Sequence, residues 1–248
     1  MVEKADLLLD GRLRLRQPAK GHRAGTDAML LAASLPEAAG LLVDIGAGVG
    51  TVGLALALRH PALRVMLVEF SSDAAGFAQE NVALNGVGDR VAVCEADVLM
   101  PRARRIAGLL DGKADFVVSN PPFFDRGTVR ASANSARAAA HVLEPGDLAR
   151  WIAACLALLR PGGVFAMIHR PASLTEILAA CDGRMGGVSV LPVYPRAGEA
   201  AMRIIIKGRK GSRAAPQIAP GLVLHSADGV FTAEAEGLHR GLGWLRDP

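Results

Sequence analysis

The sequence predicts an α/β fold in which a mostly parallel sheet is flanked by helices. Two observations lead to this prediction. From residue 41 onward, short apolar runs alternate with stretches of helical periodicity, a pattern typical of repeated strand–helix units. A glycine-rich segment at residues 46–50 directly follows the first apolar run and opens the first helix. With 248 residues, the chain is long enough for one globular domain with a sizeable core.

Five successive strands and five helices are predicted for the core. The strands cover residues 41–45, 64–69, 90–94, 115–119 and 163–168. The helices cover residues 51–59, 72–85, 102–110, 145–159 and 173–181. Asn85-Gly86 and Pro161-Gly162 interrupt the periodic pattern and predict the ends of two helices.

Further strands are predicted on both sides of this core. Residues 187–193 and 201–206 flank a tight segment, which predicts an antiparallel closing pair and a seven-stranded sheet. At the N-terminus, an Asp-Gly turn within residues 7–15 predicts a β-hairpin. We therefore expect a single domain over residues 1–248. It would comprise a hairpin-and-helix cap (1–40), the core (41–207) and a C-terminal basic loop, strand and helix (208–248), with residues 207–220 forming a polar loop.

Composition argues against a membrane protein and leaves the substrate open. No apolar run reaches the roughly 20 residues of a membrane helix, and charges interrupt the N-terminus where a signal peptide is apolar, so a cytoplasmic location is expected. Cys94, Cys155 and Cys181 are widely separated, which predicts reduced thiols and no metal site. A net charge of +4 is compatible with a polyanionic partner and equally with a small-molecule enzyme.

The segment DIGAGVG at residues 44–50 predicts a cofactor loop. Its glycines allow the backbone to turn sharply and to approach a ligand without side-chain collision. The loop residues predicted to contact the cofactor are Gly46, Ala47, Gly48 and Gly50. The spacing of Gly48, Gly50 and Gly53 also satisfies the dinucleotide fingerprint, so the loop alone leaves a nicotinamide cofactor open.

Three carboxylates are predicted to contact the cofactor, and of these Asp44 favours S-adenosylmethionine over a dinucleotide, since both cofactors contain an adenosine. Glu69 ends the next strand about 20 residues later, where a carboxylate can accept hydrogen bonds from both ribose hydroxyls of an adenosine. Asp97 follows the third strand and is placed for an adenine amino group. Asp44 would repel a pyrophosphate but attract a sulfonium and an α-amino group. In the alternative interpretation, Asp44 and Asp97 are a helix cap and a turn residue.

The chemistry is predicted at Asn120, Pro121, Pro122 and Phe123, which follow a buried strand at the edge where open α/β sheets bind ligands. An amine conjugated to a ring or a carbonyl is a poor nucleophile because its lone pair is delocalised. The Asn120 side-chain oxygen and the Pro121 carbonyl could each accept one N–H and direct the lone pair at a methyl group. Phe123 offers a flat surface for a planar substrate. The alternative is a polar turn stiffened by two prolines.

These motifs, together with the stretch GHRAGTDAMLL at residues 21–31, resemble the bacterial tRNA1(Val) adenine-N6-methyltransferases of the class I, Rossmann-like superfamily. The likeness covers nearly the whole chain. It implies methylation of the six-amino group of an adenine in RNA, with tRNA the favoured substrate. Many relatives carry tyrosine where this chain has Phe123, so a tyrosine hydroxyl is absent here.

The resemblance also implies that Gly25, Thr26 and Asp27 line the methionine end of the cofactor. Alternatively, Thr26 or Asp27 caps a helix at residues 28–34. The predicted cofactor-binding set is Gly25, Thr26, Asp27, Asp44, Gly46, Ala47, Gly48, Gly50, Glu69, Phe70, Asp97, Val98 and Asn120.

Basic residues near the motif and in the later part of the chain predict contacts with RNA phosphates. They are Lys20, Arg23, Arg126, Arg130, Lys207, Arg209 and Lys210. The alternative for each is an ordinary solvated side chain.

Other functions stay open at this point. Protein glutamine and rRNA guanine methyltransferases share Asn-Pro-Pro, but they usually carry an additional N-terminal domain, and only about forty residues precede the cofactor loop here. An oxidoreductase is disfavoured because no hydride-relay group stands near the loops, Tyr194 being the only tyrosine. A silent RNA-binding module is disfavoured by the intact Asn-Pro-Pro-Phe motif.

Overall fold

The computed structural model describes residues 5–18, 25–121 and 146–246. The strands in these residues are β1 Asp6–Leu8, β2 Leu13–Leu15, β3 Gly40–Ile45, β4 Leu63–Glu69, β5 Val91–Glu95, β6 Ala114–Ser119, β7 Leu159–His169, β8 Met185–Tyr194, β9 Arg203–Lys210, β10 Gln217–Ile218 and β11 Leu222–Val223. The α-helices are α1 Thr26–Ala33, α2 Thr51–Arg59, α3 Ser72–Leu84, α4 Pro101–Ile106, α5 Asp147–Leu158, α6 Leu174–Cys181 and α7 Ala233–His239.

The main sheet has the order β10-β8-β9-β7-β6-β3-β4-β5, with β11 pairing with β8 as well. Strand β9 is antiparallel to both β7 and β8, whereas the other pairs are parallel. The predicted α/β fold and its antiparallel closing strand are therefore confirmed. Two strands of two residues each, β10 and β11, extend the seven predicted ones at the β8 edge. Strands β1 and β2 form the predicted hairpin, in which Leu8 pairs with Leu13.

Apolar side chains cover both faces of the sheet. Successive residues of a strand point to opposite faces, so Val118 packs in the layer with α1, α2 and α3, and Val117 in the layer with α5 and α6. Near-continuous apolar strands are typical of parallel sheets covered on both sides. This packing holds the strands in place, and with them the polar residues at their carboxyl ends.

Three predicted boundaries are wrong by four residues. Strand β7 begins at Leu159 instead of residue 163, so Pro161 and Gly162 belong to the strand. Helix α4 ends at Ile106 instead of residue 110, because Gly108 adopts a positive φ of 77° that terminates a helix. Strand β9 continues to Lys210, so residues 207–210 belong to the sheet and not to a loop. Lys207 and Arg209 pair with Ala166 and Val164 of β7 through their backbones, and this pairing does not depend on apolar side chains.

The three cysteines are free thiols. Cys155 and Cys181 are buried, and burial raises the pKa of Cys181 to about 11. Across residues 5–18, 25–121 and 146–246, no helix has the length and apolar character needed to cross a membrane. The same residues contain no cluster of His, Cys, Asp or Glu side chains able to hold a metal ion.

Candidate active site

The carboxyl ends of β3, β4, β5 and β6 bring most of the predicted site residues to one edge of the sheet, here called the ligand edge. Ile45, the last residue of β3, pairs with Val68 on one side and Ser119 on the other. Glu69 pairs with Glu95 at the end of β5. Gly46, Glu69 and Asn120 therefore lie at the carboxyl ends of three neighbouring strands, β3, β4 and β6.

The glycine loop is held against β4 by backbone hydrogen bonds. The amides of Gly46 and Ala47 donate to the Val68 carbonyl at 2.9 and 3.0 Å. Gly46 has a φ of +70°, and a Cβ there would lie 3.1 Å from the Trp151 ring. Both the backbone conformation and the close approach of Trp151 of α5 therefore require glycine at this position.

Glu69 organises the ligand edge through its carboxylate. One oxygen, Oε2, accepts from the Gly48 amide at 2.8 Å, and Oε1 accepts from the amides of Phe70 and Ser71 at 2.9 and 2.8 Å. Each carboxylate oxygen offers about two acceptor sites, so Oε1 is fully used and one site on Oε2 remains for a ribose hydroxyl. No local pattern in the sequence predicts this contact with the glycine loop, because it joins two residues that are 21 positions apart.

Asp44 lies beneath the loop and is only 1% exposed. Its Oδ2 accepts from the Gly53 amide in the first turn of α2 at 2.8 Å. Burial raises its pKa to about 7, and the charge of Glu69 adds to that rise while the Gly53 amide opposes it. Asp44 thus satisfies a first-turn amide of α2 from strand β3, although the N-cap residue of that helix is Gly50. The effect of Asp44 on a bound cofactor stays a prediction.

Beyond β4 and β5, Phe70, Asp97 and Val98 stand at the same edge. Asp97 Oδ1 accepts from the Leu99 amide at 2.8 Å, the contact expected of the turn interpretation. Val98 is buried, whereas Phe70 is 47% exposed and presents an aromatic surface next to Glu69. These three residues fit the adenosine end of the predicted cofactor, and their contact with it stays a prediction.

The side-chain oxygen of Asn120, Oδ1, is a buried hydrogen-bond acceptor that no described residue satisfies; it is called the orphaned acceptor below. An unsatisfied buried acceptor costs about 1–3 kcal/mol, so this atom fits a ligand that donates N–H. Ser119 holds the end of the strand, because its Oγ donates to the Ile45 carbonyl at 2.8 Å and accepts from Trp151 Nε1 at 2.9 Å. Pro121 is buried next to Asn120, and the predicted positions Pro122 and Phe123 lie outside the described residues.

The Gly25–Thr26–Asp27 segment also reaches this region. Helix α1 begins at Thr26 with Gly25 as its N-cap and no side-chain capping bond, so the alternative with Thr26 or Asp27 as cap is wrong. Asp27 instead pairs with Arg203 at the start of β9, with 2.8 Å between Oδ2 and Nε. No local signal could have predicted this ion pair, because its partners are 176 residues apart.

Of the seven predicted basic residues, the three that the structure describes do not lie at the ligand edge. Lys207, Arg209 and Lys210 lie near the opposite edge, where their side chains donate to the backbone carbonyls of Ser34, Gly162, Leu156 and Leu159. An open cleft of about 590 Å³ at that edge is lined in part by Lys207 and Arg209. Lys20, Arg23, Arg126 and Arg130 lie outside the described residues. RNA contact by any of the seven stays a prediction.

The fold and the ligand edge together define a class I methyltransferase that uses S-adenosylmethionine. The glycine loop, the Glu69 carboxylate and the orphaned Asn120 acceptor fit that cofactor and an amine substrate. Residues 22–172 match the methyltransferase small domain family, and the chain belongs to this family.

Individual relatives agree with this assignment. The chain is 35% identical over 213 residues to a tRNA1(Val) (adenine(37)-N6)-methyltransferase of Aeromonas hydrophila, covering 85% of both chains. The crystal structure of a predicted O-methyltransferase from Agrobacterium tumefaciens is 33% identical, with a TM-score of 0.75 over 90% of this chain and 100% of that one. The structure of TYW2 from M. jannaschii in complex with AdoMet, 15% identical, has a TM-score of 0.55 over 80% of this chain and 81% of that one, and shares the fold.

Proposed function

We propose that this methyltransferase transfers a methyl group from S-adenosylmethionine to the six-amino group of an adenine in tRNA. The observation that carries the proposal is Asn120 Oδ1 at the ligand edge next to Pro121, a buried atom that has no hydrogen-bond partner among the residues that the structure describes. The choice of adenine and tRNA is supported by the Aeromonas relative, which spans most of the chain.

The chain's own residues would prepare the amine for attack. Bound S-adenosylmethionine supplies an electrophilic methyl group on a sulfonium. Asn120 Oδ1 accepts one N–H of the target amine and the Pro121 carbonyl accepts the other, so the nitrogen lone pair is withdrawn from the ring and points at the methyl group. No strong base is required, because the amine becomes acidic as it is alkylated. Ser119 and Trp151 keep Asn120 at its position on the edge.

Glu69 has two roles in the proposed function, one in the glycine loop and one in cofactor binding. It orders the glycine loop through Gly48, and the remaining acceptor site on Oε2 accepts from a ribose hydroxyl of the cofactor. Phe70 offers its exposed ring to the adenine. The binding half of the site thus lies on β3 to β5, and the reacting half at the end of β6.

A hydroxyl acceptor is the second candidate, because the Agrobacterium structure is described as a predicted O-methyltransferase. A hydroxyl has one proton and would leave one of the two acceptors at Asn120 and Pro121 unused. An amino group has two protons and satisfies both. The site therefore favours nitrogen.

Methyl transfer to unmodified total tRNA, followed by mass spectrometry of the nucleosides, tests the proposal. We expect N6-methyladenosine as the product. A 2′-O-methylated nucleoside or N2-methylguanosine would contradict the choice of acceptor. The choice of substrate would be contradicted if the tRNA gained no methyl group and a parallel reaction with a protein extract produced methylglutamine.

A further inference from the structure

Two side chains bond the backbone of the glycine loop at consecutive residues. Glu69 accepts from the Gly48 amide at 2.8 Å, and Asn81 Nδ2 donates to the Val49 carbonyl at 3.0 Å. Gly48 and Gly50, on either side of Val49, have positive φ angles of 56° and 89°. Glycine loses more conformational freedom on folding than any other residue, so the shape of this turn depends on the groups that hold it.

Asn81 also binds the N-terminal hairpin. It lies in the third turn of α3 and is fully buried. Its Oδ1 accepts from the Arg16 amide at 2.7 Å, and its Nδ2 donates to the Arg16 carbonyl at 2.9 Å. The acceptor and both donors of this amide are thus paired with two segments that lie 32 and 65 residues away in the chain. Because an unpaired polar group is costly in the interior, the amide keeps the loop and the hairpin together.

Asn85, one turn later in the chain, makes the equivalent contacts with the hairpin. Its Oδ1 accepts from the Arg14 amide at 2.9 Å, and its Nδ2 donates to the Arg14 carbonyl at 2.7 Å. The second Nδ2 contact of Asn85 is with the Asn81 carbonyl at 2.7 Å. The two asparagines therefore bond alternate residues of the hairpin, and of the two it is Asn81 whose described contacts reach the glycine loop.

We propose that Asn81 is a positioning residue for S-adenosylmethionine. It fixes the Val49 carbonyl, holds the glycine loop in the shape that binds the cofactor, and makes the order of the N-terminal hairpin part of cofactor binding. The inference rests on the part of the proposed function that places the cofactor at the glycine loop, and it does not depend on the choice of adenine or of tRNA.

The matched variants Asn81→Asp and Asn85→Asp test this role. Each keeps the acceptor for a hairpin amide but turns a carboxylate oxygen toward two backbone carbonyls, so both should lower the melting temperature. S-adenosylmethionine binding would be measured by calorimetry well below the melting temperature of each variant, so that folded proteins are compared. We expect Asn81→Asp to raise the Kd at least about tenfold and Asn85→Asp to change it less than about twofold.

A purely structural Asn81 would lower the melting temperature and leave the affinity of the folded protein unchanged. That result overturns the inference, as does an equal loss of affinity in both variants. Glu69→Ala separates this inference from the proposed function. If Glu69→Ala weakens cofactor binding and Asn81→Asp does not, the role of Asn81 alone is refuted, whereas normal binding by both variants also refutes the placement of the cofactor.

Hydrogen exchange of the wild-type protein gives a second test that does not require any variant to fold. The Arg16 amide is bonded to Asn81, so a cofactor that orders the loop should slow exchange in the peptide that carries Arg16. Peptides of β8, on the other side of the sheet, serve as the internal control and should exchange at the same rate with and without S-adenosylmethionine. Unchanged exchange at Arg16 when the cofactor is bound would overturn the proposed coupling.

Discussion

Arg203 and Asp27 form an ion pair that joins the first strand residue of β9 to the first turn of α1, with 2.8 Å between Nε and Oδ2. Their side chains are only 22% and 21% exposed. The pair ties the Gly25–Asp27 segment to the ligand edge, next to β7. The closing strand of the sheet thus positions a segment that the family resemblance assigns to the methionine end of the cofactor.

We predict that Arg203→Ala raises KM for S-adenosylmethionine about tenfold, equivalent to about 1.4 kcal/mol, with a smaller effect on kcat. The reason is that an unpaired Asp27 no longer holds the segment in place. The charge-swapped variant Asp27→Arg/Arg203→Asp should recover most of the loss, as steady-state kinetics would show. Arg240→Ala breaks the exposed pair with Asp10, far from the site, and serves as the control. An unchanged KM in Arg203→Ala would rule out this positioning role.

Asn120→Ala is expected to reduce kcat/KM for the tRNA substrate by about 10³-fold, the loss typical when a preorganised group that acts on the reacting centre is removed. Cofactor affinity should change less than threefold, because the orphaned Oδ1 serves the target amine. Single-turnover kinetics and calorimetry measure the two quantities separately. Wild-type turnover in the variant would refute the mechanism, and a parallel collapse of cofactor affinity would reassign Asn120 to cofactor binding.

The buried Asp44 predicts an unusual dependence of stability on pH. Its pKa in the folded protein is raised from 3.8 to about 7, so between these values the folded protein holds a proton that the unfolded chain releases. The free energy of unfolding should therefore fall as pH rises from 5 to 8, by up to about 3 kcal/mol. Urea denaturation at several pH values measures this slope. Asp44→Asn keeps an acceptor for the Gly53 amide but does not titrate, so its curve should be flatter. Identical curves would show that Asp44 titrates normally.

Replacing Gly53 and Gly76 by alanine should change the stability of the protein in opposite directions. A Cβ at Gly53 would collide with Leu67 Cδ2, so Gly53→Ala forces α2 away from β4 and should lower stability by about 1–3 kcal/mol. At Gly76, in the exposed part of α3, no atom of the described residues lies within 4 Å of the equivalent Cβ, so Gly76→Ala should raise stability by about 0.5–1 kcal/mol. Thermal or urea unfolding of both variants provides the comparison. Equal effects would argue against the close packing of Gly53.

The sequence predicted the core elements well because their signals are local. Helix α2 has the predicted bounds, and β3, β4, β5 and β6 differ from prediction by at most one residue at each end. Apolar period, glycine stops and turn chemistry act over a few neighbouring residues. The errors at α4 and β9 arose where a positive-φ glycine ended a helix and where polar residues joined a sheet through their backbones.

By itself, the sequence determined the fold class, the glycine loop, and the order in which Glu69, Asp97 and Asn120 follow successive strands. Periodicity and strand ends imply one common edge in a parallel sheet. Only the tertiary structure decided that Glu69 binds the Gly48 amide, that Ser119 binds Trp151, and that Arg203 pairs with Asp27. The same folding placed Lys207 and its basic neighbours near the opposite edge. These relations depend on which elements pack together in space, because partners separated by 21 to 176 residues leave no local pattern in the chain.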